Sequence, residues 1–172
     1  MATEVLLINR ADIMRLTGLN GNIDEDKILP HVNTAQDIHL QPIIGTKLMQ
    51  KCKDLIEAGT LGDVGNEAYE TLVYTYITPA LVFLVMWDFL PFMQYEIANG
   101  GILQHNSENS ATPTEGEVNS LIQRFKDKAT FYGTRLTDYL CDNQSSFAEL
   151  TESTTGAEMD DSGQQIFKGW VI

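Results

Sequence analysis

Residues 72–93, LVYTYITPALVFLVMWDFLPFM, decide the fold of this 172-residue chain. Nearly every side chain after Pro79 is apolar, and a helix that is apolar on all sides must be covered on all sides. A domain of this length can cover much of such a helix, and a neighbouring subunit can cover the rest. The stretch therefore predicts a buried central helix that is completed either within the chain or by a second subunit.

The same stretch is long enough to suggest a transmembrane helix. No Lys or Arg brackets the stretch. Polar residues and prolines interrupt it: Thr75, Thr78, Pro79, Asp88 and Pro91. An Asp in the middle of a membrane is costly without a partner. We therefore predict a buried helix in a soluble assembly with no membrane contact. A small membrane-associated protein that uses residues 72–93 is the alternative.

Signals for further helices lie on the N-terminal side of this stretch. Polar residues suited to N-capping precede the predicted helices: Asn9, Asp24, Thr46 and Asn66. Pro42 is expected to end or kink the second helix, and Gly59 is well placed to end the third. The aliphatic segment Glu4–Ile8 and residues 102–104 have the composition of short strands.

A long helix is predicted after a capping box formed by Thr114 and Glu117. Its apolar residues alternate steps of four and three over three heptads: Val118, Ile122, Phe125, Ala129, Tyr132, Leu136 and Tyr139. This seam packs either against a helix of a partner or against the apolar helix of the same chain. We take Phe125, Tyr132 and Tyr139 as candidate protein-interface residues.

The chain changes character after residue 142. Residues 143–165 are rich in Ser, Thr and acidic residues without a single Lys or Arg, which is typical of a linker. The end of the chain is apolar and aromatic, and we interpret five of its residues as a docking segment: Ile166, Phe167, Trp170, Val171 and Ile172. This terminus either docks on a partner or folds back onto its own domain.

The fold class that follows is mainly α. We expect a helical bundle of about four to five helices over residues 1–142, with short strand segments. An acidic linker and an apolar docking arm, extended from the bundle, are expected over residues 143–172.

Acidic side chains outnumber basic ones by 24 to 11, which gives a formal net charge of −13. Gripping nucleic acid requires clustered Lys and Arg, so this balance argues against a DNA-binding surface. It suits a wall past which DNA slides without specific binding, although many acidic surfaces serve solubility alone.

No catalytic, cofactor or metal site is predicted, because no HExxH, CxxC, P-loop, GxGxxG or GxSxG motif is present. Cys52 and Cys141 are expected to be reduced, buried, small hydrophobic residues, which is consistent with an intracellular origin of the protein. His31 and His39 lie about two helical turns apart, too far to chelate one metal ion by themselves. Asp88 is expected to accept hydrogen bonds from an Arg, a Tyr or a backbone amide. An enzyme or uncharacterised regulatory domain that uses Asp88 or His39 remains an alternative.

Three short segments near the N-terminus together form a pattern of aliphatic residues, an Ala-Gln pair, further spaced aliphatic residues and a glycine: Ile28-Leu29-Pro30-His31-Val32, Ala35-Gln36-Asp37-Ile38 and Pro42-Ile43-Ile44-Gly45-Thr46-Lys47-Leu48. They resemble the front half of head-to-tail connector proteins of tailed bacteriophages. Later segments resemble structural proteins of crAss-like and Bacteroides phages: Asn99-Gly100-Gly101-Ile102, Ser107-Glu108-Asn109 and Asp138-Tyr139-Leu140.

The resemblance implies a helical adaptor that forms a homo-oligomeric ring, often dodecameric, beneath the portal protein. Such a ring would extend the portal's DNA channel and receive the tail or a second ring. The protein would be made in the bacterial host cytoplasm and reside in the virion. No catalytic residues and no cofactor are implied.

Overall fold

The computed structural model describes residues 5–18, 25–98, 101–104 and 114–151. Over these ranges the chain is mainly helical, as predicted. Its helices are α1 (Arg10–Thr17), α2 (Glu25–Ala35), α3 (Gln41–Ile44), α4 (Thr46–Glu57), α5 (Glu67–Thr71), α6 (Thr78–Phe89), α7 (Glu115–Asp142) and α8 (Ala148–Thr151). Leu90–Gln94 and Gln144–Ser146 are 3₁₀-helical. Strands β1 (Tyr95–Ala98) and β2 (Gly101–Gln104) pair antiparallel, with Tyr95 opposite Gln104.

Helix α6 forms the centre of the core. Every residue from Thr78 to Met86 is buried, and α1, α2 and α7 of the same chain pack against the helix. Its apolar surface is therefore covered largely within one chain, which is the first of the two possibilities that the sequence left open.

The helix that contains α6 also bears on the membrane alternative. Glu67–Met93 is long and apolar enough to cross a membrane by length and composition alone, but 67% of its most apolar window is buried inside the molecule. A mostly buried core helix of a soluble protein passes the same test, so the length of this helix is weak evidence for a membrane span.

Two prolines inside helices are each preceded by a wider, π-helical segment. Gln36–Leu40 joins α2 to α3 ahead of Pro42, and Leu72–Ile77 joins α5 to α6 ahead of Pro79. At both sites the residue before the proline donates its amide to a carbonyl five residues back: Gln41 to Gln36, and Thr78 to Val73. A proline ring clashes with the carbonyl four residues before it in a regular α-helix, and the π spacing relieves that conflict.

Glycines end two of the helices. We expected Pro42 to end or kink the second helix, but the helical backbone continues to Ile44 and ends at Gly45, at φ 79° and ψ 156°. Gly59 ends α4 as predicted, at φ 68°, and the amides of Gly59 and Thr60 bond back to carbonyls of the last turn. A left-handed φ favours glycine because it has no Cβ.

The N-terminal caps are confirmed in part. Asn9 starts α1 and Thr114 starts α7, each in a reciprocal capping box with the acidic residue three positions later. Thr46 is instead the first helical residue of α4, and the side chain of Asn66 donates to a loop carbonyl and does not cap α5. The predicted cap Asp24 lies outside the described residues.

The N-terminal segment is held by the buried side chain of Gln36, which makes the main-chain hydrogen bonds that we expected a neighbouring strand to make. We expected Glu4–Ile8 to pair as a strand, but the described part, residues 5–8, forms none. The Gln36 side chain, 0% exposed, accepts from the Leu7 amide at 2.7 Å and donates to the Val5 carbonyl at 3.4 Å. One side-chain amide therefore satisfies a donor and an acceptor of the main chain.

The folded body extends beyond residue 142, where we expected the linker to begin. Helix α8 packs against α4, and Phe147 is 0% exposed. Residues 143–151 therefore belong to the body. The remainder of the predicted arm lies outside the described residues, including the candidate docking residues Ile166, Phe167, Trp170, Val171 and Ile172.

Replacing Gln36 with Leu is expected to lower the free energy of unfolding by about 1–3 kcal/mol, because the Leu7 amide and the Val5 carbonyl lose their buried partner. Urea unfolding followed by circular dichroism measures the change. The matched control is Gln50→Leu on the exposed side of α4, which should change the stability by no more than about 0.5 kcal/mol. Equal effects of the two variants would contradict the role of Gln36.

Candidate functional site

The heptad face of α7 packs on the apolar helix of its own chain. The ring of Phe83 lies 5.2 Å from Tyr132 and 6.1 Å from Phe125, between centroids, and Tyr76 stacks on Tyr139 at 3.9 Å. We call these five rings the aromatic seam. The candidate interface residues Phe125, Tyr132 and Tyr139 thus pack within the chain, which is the second of the two arrangements that the sequence allowed.

The outward flank of α7 carries a different row of side chains. Leu121, Arg124, Lys128, Phe131 and Arg135 follow one another at steps of three and four, and therefore lie along one side of the helix. Phe131 is 63% exposed and Leu121 is 43% exposed. We call these five residues the basic–aromatic stripe.

Two cations of the stripe rest on rings of the aromatic seam. The Lys128 ammonium lies 5.2 Å from the centroid of Phe83, and the Arg135 guanidinium lies 4.9 Å from that of Tyr76. Such contacts contribute roughly 0.5–1 kcal/mol each at exposed positions. They also restrict where these positive charges sit on the surface of the helix.

A tyrosine–carboxylate contact attaches the end of the body to its middle. The Tyr69 hydroxyl donates to the Glu149 carboxylate, with oxygen–oxygen distances of 2.9 and 3.1 Å, and the Tyr69 ring meets Phe147 edge to face at 5.4 Å. Burial, followed by the hydrogen bond and charge of Glu149, raises the pKa of Tyr69 to about 12.

The same neighbourhood keeps a cysteine protonated. Burial, and to a smaller degree the Glu149 carboxylate, raises the pKa of Cys52 from 9.0 to about 12. A thiol acts as a nucleophile only as its thiolate, so this Cys52 is an inert core residue at neutral pH.

The π-helical segment Gln36–Leu40 packs on α6 and brings together two ionisable residues that the sequence singled out separately, His39 and Asp88. His39, in the π-helical segment, places Nε2 3.2 Å from Oδ2 of Asp88 in the last turn of α6. The His39 ring also lies 5.4 Å from that of Trp87. We expected an Arg, a Tyr or an amide beside Asp88, and a histidine occupies that position instead.

The His39–Asp88 pair has the geometry for either of two roles, one catalytic and one structural. A carboxylate that orients an imidazole is the base-and-orienter part of a nucleophile-activating triad. It is equally a polar contact that fixes α6 against the π-helical segment. The 49 positions between the two residues explain why local sequence patterns cannot pair them.

No group of three or more His, Cys, Asp or Glu within the described ranges could hold a metal ion. His31 instead contacts two aromatic rings, Phe89 at 5.2 Å and Phe92 at 5.1 Å. The third histidine, His105, lies outside the described residues.

The chain belongs to a family of unknown function (DUF6712), whose model matches residues 40–159. The matched range begins one residue after His39 and includes α3 to α8, and with them the aromatic seam and the basic–aromatic stripe. No curated protein and no solved structure matches the chain.

Replacing Phe147 with Ala is expected to lower the free energy of unfolding by about 3–5 kcal/mol, because the change leaves a cavity between Tyr69 and Tyr139. Thermal and urea unfolding measure the loss. Phe131→Ala is the matched control: the same substitution at an exposed position of α7 should cost no more than about 0.5 kcal/mol. A mild effect at Phe147 would show that residues 143–151 do not belong to the body.

The free energy of unfolding is expected to fall as the pH rises from 9 to 12. The unfolded chain loses the Cys52 proton near pH 9 and the Tyr69 proton near pH 10, whereas the folded chain keeps both protons until about pH 12. The unfolded state therefore binds fewer protons in this window, and stability declines with pH. Urea unfolding at stepped pH measures the slope. Cys52→Ala should flatten the curve from pH 9 upward and Tyr69→Phe from pH 10 upward, and an unchanged slope in both variants would contradict the assignment.

Proposed function

We propose that this protein is a non-enzymatic virion structural protein that forms an oligomeric ring in the head-to-tail connector of a tailed phage. The ring extends the portal's DNA channel and joins it to tail proteins or to a second ring. The observation that carries the proposal is the resemblance of residues 28–48 to connector proteins. These residues span a continuous helical run from α2 through the π-helical segment to the end of α3, and then, after the break at Gly45, the start of α4.

The outer surface of the body supports assembly. A subunit of a closed ring buries apolar surface against a neighbour on each side. Several large apolar side chains are exposed on the described surface: Ile38, Val64, Tyr74, Phe92, Met93, Leu121 and Phe131. Scattered exposed apolar residues are common in monomers, so the support comes from Phe131 and Leu121 recurring along one row of α7.

The charge of the chain supports passage of DNA without specific binding. A net charge of −13 repels the phosphate backbone. Packaged DNA therefore slides through such a channel and does not adhere to its wall.

The finer architecture belongs to the same proposal. A bundle of about four to five main helices, with short strand segments, forms the body of the subunit, and an extended arm follows it. In the assembled ring, the apolar end of the arm contacts a neighbouring subunit, the portal protein or the next ring: Ile166, Phe167, Trp170, Val171 and Ile172.

The purified chain is expected to form rings or to bind portal rings of the phage that encodes it. Light scattering after size exclusion measures the mass, and negative-stain electron microscopy shows the shape. Deleting residues 166–172 should weaken the assembly, because it removes the apolar end of the arm. The control is Val64→Ser, a loop residue whose loss removes exposed apolar surface outside the arm. A stable monomer that does not bind portal rings would overturn the proposal.

Two alternatives each have one supporting observation. The length of the apolar helix Glu67–Met93 suits a membrane-associated protein, which would float with lipid vesicles, whereas a connector stays in the soluble fraction. The His39–Asp88 pair suits an enzyme or a regulatory domain. Asp88→Asn would then abolish an activity while leaving assembly intact.

A further inference from the structure

The positive charges of the second half of the chain are concentrated on α7. Between residue 54 and the end of the sequence there are only five basic residues, and four of them lie between Arg124 and Arg135. The fifth is Lys168. Three of the four belong to the basic–aromatic stripe, although Asp127 is nearby in sequence and Glu117 and Asp138 each extend the same row by one step at its two ends.

The stripe has the chemistry to bind an acidic segment that also carries aromatic side chains. Its cations attract carboxylates, while exposed Phe131 and Leu121 offer apolar contacts between them. Nucleic acid fits less well, because these few cations belong to a chain with a net charge of −13.

Residues 152–172 of this chain have the complementary composition. Glu152, Glu158, Asp160 and Asp161 come first, without an intervening Lys or Arg, and the aromatic residues Phe167 and Trp170 follow. The acidic residues therefore precede the aromatic residues along the segment, so the acidic part matches the cations of the stripe and the aromatic end is left for the apolar contacts.

The segment begins near one end of the stripe. Arg135 lies over Tyr76, Tyr76 stacks on Tyr139, and Tyr139 lies 6.2 Å from Phe147, which immediately precedes α8. Helix α8 ends at Thr151, so residue 152 follows a helix anchored beside the Arg135 end.

The length of the segment suffices to follow the whole stripe. The helix rises about 21 Å between Arg135 and Leu121, whereas the residues after α8 span up to about 70 Å when extended. At the far end, Leu121 and Arg124 line a shallow, open groove of about 560 Å³, together with Glu117 at its other side, so this end suits the apolar end of the segment and not its acidic part. A tethered segment has an effective concentration on the order of millimolar, which favours its own stripe over that of another copy.

We propose that residues 152–172 bind along the basic–aromatic stripe of their own α7 in the isolated chain. The acidic residues pair with Arg135, Lys128 and Arg124, and the aromatic residues that follow contact Leu121 and the groove. The inference concerns the unassembled chain, so it holds or fails independently of ring formation. If rings do form, the arm must leave this stripe before it contacts a neighbour.

Fluorine NMR of the full chain labelled with 5-fluorotryptophan tests the proposal. The chain has two tryptophans, Trp87 and Trp170, and Trp170→Phe assigns their resonances. A labelled peptide of residues 152–172 gives the reference position for a free segment. The Trp170 resonance of the chain is expected to be displaced from that position at low salt. It should return toward the reference at about 0.5 M salt, because screening weakens the charge pairs.

Charge reversal on either side should release the segment. Arg124→Glu with Lys128→Glu should move the Trp170 resonance to the reference position. The matched control, Lys27→Glu with Lys47→Glu on α2 and α4, makes the same change in net charge and should leave it displaced. The segment should also be released by a triple variant, Glu158→Lys with Asp160→Lys and Asp161→Lys. These three positions lie outside the described body, so the triple variant remains informative if the α7 variant does not fold. Combining the two reversed sets should restore the displacement.

Three results would each overturn the proposal. The first is a Trp170 resonance at the reference position in the unaltered chain. The second is a displaced resonance that both reversals leave in place. The third is a displacement that disappears on about 50-fold dilution, which would mean that the segment binds a second copy.

Discussion

The lack of any polar side on α6 constrains the rest of the molecule. A helix with one polar face can lie at a surface, but residues 78–86 are apolar on nearly every side, so no face of this helix is suited to contact with solvent. Helices α1, α2 and α7 therefore surround it, and the long α7 contributes most of its apolar seam to this task. The aromatic seam, the position of the His39–Asp88 pair and the outward direction of the basic–aromatic stripe all follow from how α6 is covered.

Two polar side chains that are fully buried in the described core, Gln36 and Thr78, each have hydrogen-bond partners on the main chain. The Thr78 hydroxyl donates to the Val73 carbonyl at 2.9 Å, within the widened turn ahead of Pro79. Gln36 is used in the same way at the edge of the core, where it bonds the main chain of the N-terminal segment. Each site sits at or next to a π-helical segment, where the regular ladder of main-chain bonds changes its spacing.

The parts of the fold that sequence reasoning could predict are those with local signals. The apolar run of α6 and the seam of α7 repeat within a few residues, and the caps at Asn9 and Thr114 involve partners three positions away. The contacts that it missed join distant residues: Gln36 bonds a segment about 30 positions earlier, and Asp88 lies 49 positions from His39. Phe147 was missed because a single aromatic residue within a polar, acidic run has no periodicity.

Anchoring of Phe147 has a mechanical consequence. A tensile load on the C-terminal segment reaches the body at α8, where the Phe147 ring and the Tyr69–Glu149 hydrogen bonds hold it. From there the force passes through Tyr139 and Tyr76 into the middle of the stacked helices, and it does not peel α7 away from its end one turn at a time. A load on this end of the chain is therefore shared among several ring contacts and two hydrogen bonds and is not borne by the last turn of α8 alone.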